Sequence, residues 1–124
     1  MMEWLAVFLG GGLGSLARLG MGKWLGMSTE GFPLATFLTN IVACIVLGFV
    51  AGFVAQKGQM NPVLRMGITA GFCGGFSTFS TFSLESVSLF EVGRYVLAGI
   101  YIVASILCCF LGIWLGSQLG RQAP

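Results

Sequence analysis

Hydrophobic positions run along the chain in four long stretches, separated by short segments that hold most of the charged residues. The stretches cover residues 4–25, 33–55, 63–90 and 95–119. Each exceeds the roughly 20 residues with which an α-helix crosses about 30 Å of hydrocarbon at 1.5 Å per residue. The alternation of period two that marks barrel strands is missing. The pattern therefore predicts an all-α integral membrane protein, with four transmembrane helices in a single domain over residues 1–124.

Composition excludes most other classes of protein. Hydrophobic residues make up 56% and charged residues 8% of the 124 positions, whereas a soluble domain carries about 25% charged residues. A soluble globular enzyme is thereby excluded. Histidine is absent, which excludes acid–base and metal chemistry based on that side chain. Six Lys and Arg against four Asp and Glu leave no basic patch for nucleic acid.

The positive charges are divided equally between the two sides of the predicted bundle. The side of the termini and second linker has three and the opposite side has three: Lys57, Arg65 and Arg121 against Arg18, Lys23 and Arg94. The positive-inside rule orients membrane proteins by this difference, so the tie leaves two alternatives. Either one loop charge fixes a single orientation, or the chain inserts both ways and two copies pair as an antiparallel dimer.

Glycine supplies 20 residues, many of them four positions apart inside the predicted helices. The runs are Gly10/Gly14, Gly48/Gly52, Gly67/Gly71/Gly75 and Gly112/Gly116/Gly120. Such spacing leaves a strip without side chains, along which helices approach closely in lipid. Packing within one bundle explains most of these glycines, and the excess favours an oligomer. The four cysteines all lie in the stretches without a CxxC pair, so we interpret them as small apolar filler rather than a metal site.

The third stretch, which includes ITAGFCGGFSTFSTFSLESVSLF, predicts a broken helix. Gly74 and Gly75 weaken a helix at its middle, and the Ser/Thr run that follows can bond the freed backbone groups. We expect the break near residues 74–78, where non-helical backbone persists only when it is buried in protein or lines water. Such breaks commonly bind ions. The alternative is a glycine kink without function.

Helical spacing separates two faces beyond the break. One face is polar and the neighbouring face begins with aromatic rings: Thr78, Thr81, Glu85 and Ser88 against Phe79, Phe82, Ser86 and Leu89. The two rings are either core packing or the wall of a pathway in which their positive edges contact an anion.

Few other polar residues lie within the stretches, and most of them are hydrogen-bond donors. They are Arg18, Thr39, Asn40, Tyr101 and Ser105. A single such residue is often only a contact between helices. Together, a donor-rich lining with one embedded carboxylate suits an anion better than a cation.

Three motifs resemble those of the small fluoride channels called Fluc or CrcB. GGFSTFSTFS at residues 74–83 is similar to the family's third-helix signature, GG-x-[ST]-TFSTFS. GGGLGSLAR at residues 10–18 is similar to GGxxGAxxR, although Ser15 replaces Ala and Leu19 replaces the usual aromatic. ATFLTNIVACIVLG at residues 35–48 resembles GTLxVNxxGSFxxG and keeps Thr36, Asn40 and Gly48. It departs from that pattern at Ala35, Thr39 and residues 43–44. The fourth stretch matches only by its length and two polar residues.

The resemblance implies a dual-topology antiparallel homodimer in the inner membrane of a bacterium, with two pores through which fluoride leaves the cell passively. It further implies a structural Na⁺ on the dimer axis, held by the backbone carbonyls of Gly74 and Ser77 from both subunits. No enzyme activity is expected.

The resemblance also implies which side chains line the fluoride pathway. By motif match they are Asn40, Phe79, Ser80, Thr81, Phe82, Tyr101 and Ser105, with Arg18 supplying positive potential at a vestibule. Glu85 would lie toward the outer end.

The alternative function is a proton-coupled exporter of the small multidrug-resistance type, which can also be an antiparallel dimer. Its mechanism needs a carboxylate near the middle of the first helix. Glu3 stands at the start of the chain and is the only acid before residue 26, so the sequence disfavours this alternative.

Overall fold

The computed structural model describes residues 1–26 and 31–124, and all regular elements in these ranges are helical. α1 spans Met2–Leu25, α2 spans Leu34–Lys57 and α5 spans Tyr95–Gln122. These three helices are long and apolar enough to cross a membrane. The predicted first linker, residues 26–32, lies partly outside the described residues.

The predicted third span consists of two helical segments joined by an extended link. We call residues 62–76 α3, which is α-helical at Pro62–Met66, π-helical at Gly67–Cys73 and α-helical again at Gly74–Phe76. α4 follows at Phe79–Glu91. The prediction put the interruption at residues 74–78. In the structure Gly74 and Gly75 are helical, and the extended residues are Ser77 and Thr78.

Most of the predicted glycine strips form contacts inside the chain. A Cβ at Gly10 or Gly14 would overlap backbone atoms of α3, and one at Gly75 would overlap the Gly11 carbonyl of α1. On the other side of the molecule, Gly48 and Gly116 bring α2 and α5 together in the same way. The chain itself thus occupies much of the glycine surface from which the sequence favoured an oligomer.

α2 and α5 run parallel with a fixed register. The backbone of Gly48 lies against Ile113, and that of Gly52 lies against Ser117. The members of each pair are 65 positions apart in the chain, and both pairs follow one helix face at intervals of four. We call this contact line the α2–α5 seam.

The interior is small, because most large apolar side chains point outward. One buried cluster contains Ala43, Cys73 and Phe76, and a second contains Leu89, Ala98 and Tyr101. Rings such as those of Trp4 and Phe110 remain exposed. An apolar exterior with a small interior is what a protein surrounded by lipid requires.

Candidate functional site

A cleft of about 630 Å³ opens where α1, α2 and α4 meet. All four residues of the predicted polar face, Thr78, Thr81, Glu85 and Ser88, line it. Arg18 and Lys23 of α1 line it as well, together with the hydroxyl-bearing residues 15, 36 and 39. The cleft therefore combines two positive side chains with many hydroxyl groups.

Glu85 accepts hydrogen bonds from two neighbouring helices. The Thr36 hydroxyl donates to Oε1 over 2.8 Å, and the Tyr101 hydroxyl donates to Oε2 over 2.7 Å. Thr36 is 6% exposed and Tyr101 is fully buried. Both donors belong to the α2–α5 seam, since they too are 65 positions apart. The Glu85 carboxylate thus joins the lining of the cleft to both α2 and α5.

Asn40 holds the extended link between α3 and α4. The Thr78 amide donates to Asn40 Oδ1 over 2.7 Å, and Asn40 Nδ2 donates to the Thr78 carbonyl over 3.1 Å. One side-chain amide thereby satisfies both backbone groups of a residue that has left the helix. This pairing is how non-helical backbone persists at membrane depth.

The link leaves two carbonyl oxygens without their helical donors. In a continuous helix the Gly74 carbonyl would accept from the Thr78 amide, which here donates to Asn40. The Ser77 carbonyl would accept from the Thr81 amide, which donates to Thr78 Oγ1 over 3.2 Å instead. Gly74 is exposed, and a Cβ there would meet only open space. Free carbonyl oxygens are suitable ligands for a hard cation such as Na⁺.

Hydroxyl groups cluster at the beginning of α4. Thr78 caps the helix through the Thr81 amide, and its Oγ1 lies 3.0 Å from Thr81 Oγ1 and 3.3 Å from Ser80 Oγ. Thr81 faces the cleft, whereas Ser80 lies on the exposed side. The predicted residues Ser80 and Thr81 therefore both contact the Thr78 hydroxyl, but their side chains lie in different surroundings.

A row of aromatic rings leads from the surface inward. Phe79 is 79% exposed, and its ring centroid lies 5.6 Å from that of Phe82. The Phe82 ring lies 5.2 Å from Tyr101, which Phe32 contacts edge-on at 5.4 Å. Phe82 and Tyr101 are thus packed inside the chain, whereas Phe79 projects from it.

Ser105 is buried without a hydrogen-bond partner. It is 5% exposed, and no group in the described part of the chain bonds its Oγ. Ser105 lies one helical turn beyond Tyr101, and it is 65 positions after Asn40. Among the predicted site residues, this hydroxyl is free to bind another group.

The structure brings Arg18, Thr81 and Thr78 to one cleft, and it joins Tyr101 to that cleft through Glu85. Asn40 does not itself line the cleft, but it bonds the backbone of Thr78, which does. Thr36 was missed as a site residue. Its signal was available, because it lies one turn before Asn40 on α2 and belongs to the motif at residues 35–48.

Comparison with known proteins gives a consistent result along the chain. Residues 5–117 match the family model described as CrcB-like protein, Camphor Resistance (CrcB). A Rhizobium etli protein named Fluoride-specific ion channel FluC is 40% identical over 122 residues, which covers 98% of both chains. A protein of the same name from Rhizobium leguminosarum bv. trifolii is 44% identical over 122 residues, again covering 98% of both chains. A third, from Nitratidesulfovibrio vulgaris, is 40% identical over 114 residues, covering 91% of this chain and 92% of the relative.

Proposed function

We propose that this chain, which belongs to the CrcB-like protein family, is a fluoride-specific ion channel that lowers cytoplasmic fluoride by passive export. The observation that carries the proposal is near-full-length identity of about 40% to bacterial proteins named as such channels. The protein is accordingly a multi-pass membrane protein rather than an enzyme.

The cleft supplies what a small anion requires at the entrance to a membrane. Arg18 and Lys23 contribute positive charge, which raises the local concentration of anions. The hydroxyl groups of Thr78 and Thr81 offer donors that replace hydration water. Hydrogen bonds to a charged acceptor are short and strong, so a compact anion gains more from these donors than a larger halide does.

The row of aromatic rings and the Ser105 hydroxyl extend the proposed fluoride pathway beyond the cleft. The ring edges of Phe79 and Phe82 carry partial positive charge, and Ser105 offers a buried hydroxyl without a partner. The Glu85 carboxylate repels an anion, but its two bonds fix the hydroxyls of Thr36 and Tyr101 in place. We therefore assign Glu85 the role of orienting these donors.

In this proposal the chain crosses the membrane four times and pairs with an antiparallel second copy. α3 and α4 are each shorter than the roughly 20 residues of a full span, so they form one crossing together. The exposed side of the link supports a partner there, since Gly74, Phe79 and Ser80 are all exposed. The equal division of positive charge supports insertion in both orientations.

The same proposal assigns a structural Na⁺ to the link. The carbonyls of Gly74 and Ser77 would hold it, because their usual amide donors bond elsewhere. When bound, the ion would neutralise carbonyl dipoles that the two copies bring together. Asn40 holds the link extended through its two hydrogen bonds to Thr78.

The experiment that tests the proposal compares fluoride and chloride efflux from liposomes that contain the purified protein. We expect rapid fluoride efflux and chloride efflux close to that of protein-free liposomes. Phe79→Ile should reduce fluoride efflux, while Phe8→Ile should not, although Phe8 of α1 is similarly exposed at 75%. Chloride efflux as fast as fluoride efflux would contradict the proposal.

A further inference from the structure

Cysteines on three helices lie close together outside the proposed pathway. Cys44 is on α2, Cys73 is in the π-helical part of α3, and Cys108 and Cys109 are on α5. All four are free thiols. Cys44 and Cys109 are both half-buried.

The α2–α5 seam gives independent geometric support for this pair. Cys44 precedes Gly48 by four residues and Cys109 precedes Ile113 by four, so the two cysteines continue the 65-residue register by one turn. The helices remain close at this level, because a Cβ at Gly112 would lie 3.5 Å from the Cys44 Cβ. A disulfide requires Cα atoms about 4.4–6.8 Å apart with the side chains facing each other. The backbone contact of α2 with α5 one turn further on, at Gly48 and Ile113, keeps the two helices close at the level of these cysteines.

We propose that Cys44 and Cys109 are an oxidation site, at which a lipid-soluble two-electron oxidant such as a quinone links α2 to α5. Both S–H bonds break and one S–S bond forms. The two protons and two electrons pass to the quinone, which becomes a hydroquinone. A thiol reductant reverses the step by thiol–disulfide exchange.

The Cys44–Cys109 disulfide would form next to the polar part of the α2–α5 seam. Asn40 lies one turn before Cys44, and Ser105 lies one turn before Cys109. A disulfide at this level fixes the distance between α2 and α5. Asn40, which holds the extended link between α3 and α4, and Ser105, whose hydroxyl has no partner, both lie one turn away. We therefore expect the oxidised protein to conduct less fluoride. This consequence rests on the proposed function, whereas the oxidation site does not.

The test uses the full-length protein in liposomes, treated with iodine as the two-electron oxidant. Intact-protein mass spectrometry should show the loss of two hydrogen atoms, and peptide mapping should join Cys44 to Cys109. Cys108→Ser is the matched control, since this variant retains Cys109 and should still form the disulfide. Cys44→Ser and Cys109→Ser should each abolish the disulfide. If either Ser variant does not fold, the corresponding Ala variant takes its place. A link from Cys44 to Cys73, or no link at all, would overturn the assignment.

Fluoride efflux from the same liposomes gives the second readout. Iodine should lower it several-fold in the wild type and in Cys108→Ser, and a thiol reductant should restore it. Efflux from Cys44→Ser should not respond to iodine. If the mapped link forms and efflux is unchanged, the coupling to conduction is refuted. If the reduced protein itself conducts no fluoride, the proposed function fails while the mass measurement still decides the oxidation site.

Discussion

Asn40 joins two parts of the chain through one side chain. Its amide accepts from the Thr78 amide and donates to the Thr78 carbonyl, so a single residue substitutes for two helical hydrogen bonds. An unpaired buried polar group costs about 1–3 kcal/mol. Without Asn40, both backbone groups of Thr78 would have to find other partners in a region with little water. The extended link therefore depends on this amide.

Asn40→Asp should impair both structure and conduction. The variant retains an acceptor for the Thr78 amide, but it places a carboxylate oxygen against the Thr78 carbonyl and adds a charge that repels an anion. We expect fluoride efflux to fall by tenfold or more, a change of about 1.4 kcal/mol or more in free energy. A fluoride-selective electrode outside the liposomes measures it.

Asn61→Asp is the matched control for this substitution. Asn61 caps α3 and uses only Oδ1, which accepts from the amides of Val63 and Leu64. Aspartate caps a helix as well as asparagine does, so this variant should conduct like the wild type. Equal efflux from both variants would remove Asn40 from the pathway and from support of the link.

A second prediction concerns the two hydroxyl groups that donate hydrogen bonds to Glu85. Thr36→Val and Tyr101→Phe each remove a hydroxyl with little change in shape, and each leaves one carboxylate oxygen without its donor. Each should lower the free energy of unfolding by about 1–3 kcal/mol. Thermal unfolding of the detergent-purified protein measures the loss.

Ser83→Ala is the reference for these two variants, because the Ser83 hydroxyl donates to the Phe79 carbonyl of its own helix. That carbonyl retains its helical environment, so the change should stay within about 0.5 kcal/mol. If all three variants unfold at the same temperature, Glu85 does not stabilise the contact between α4 and the seam.

At the scale of elements, the interruption of the third stretch was predictable from the sequence only in part. Two adjacent glycines predicted an interruption, but in the structure Gly75 is helical and packs against Gly11, where any side chain would collide. The extended residues follow because Asn40 takes the Thr78 amide across 38 positions of sequence. Local propensity indicated a weak region, whereas the residue that leaves the helix is decided by a long-range bond. The π-helical turns at Gly67–Cys73 carry no pattern that separates them from α-helical ones.

The seam predicts how the chain tolerates added methyl groups. Gly48→Ala would put a Cβ onto the backbone of Ile113, which cannot rotate away as a side chain can. We expect α2 and α5 to separate locally and the yield of folded protein to drop sharply. Gly99→Ala is the control, since a Cβ there meets only open space and should stabilise the helix by about 0.5–1 kcal/mol. Size-exclusion profiles and thermal unfolding distinguish the two. Equal behaviour would show that the helices are not in backbone contact.

At the scale of the whole molecule, contacts within one chain account for how its helices pack, but they do not account for the exposed surface at the link. The glycine strips are largely used within the chain, so only the exposed link and the equally divided charge support a second copy. Gly74 and Phe79 present open surface beside carbonyls that have lost their donors. Sequence could predict the helices and several polar positions, because these follow from period and length. It could not predict which surface stays open, since that depends on how helices distant in the chain pair.

The proposed insertion in both orientations predicts that small changes of charge decide whether two copies can pair. The three-to-three division of Lys and Arg means that two added charges on one side should fix the orientation. Gln56→Lys with Gln59→Lys adds them at the second linker, and Glu91→Lys with Val92→Lys adds them at the third. Each double variant alone would then insert one way only and could not form an antiparallel pair. We expect each to give little fluoride efflux when expressed alone, and their coexpression to restore it. Reporter domains fused to the C-terminus should report opposite sides for the two variants. Full efflux from both variants expressed separately, with their reporters on opposite sides, would show that conduction does not need oppositely oriented copies.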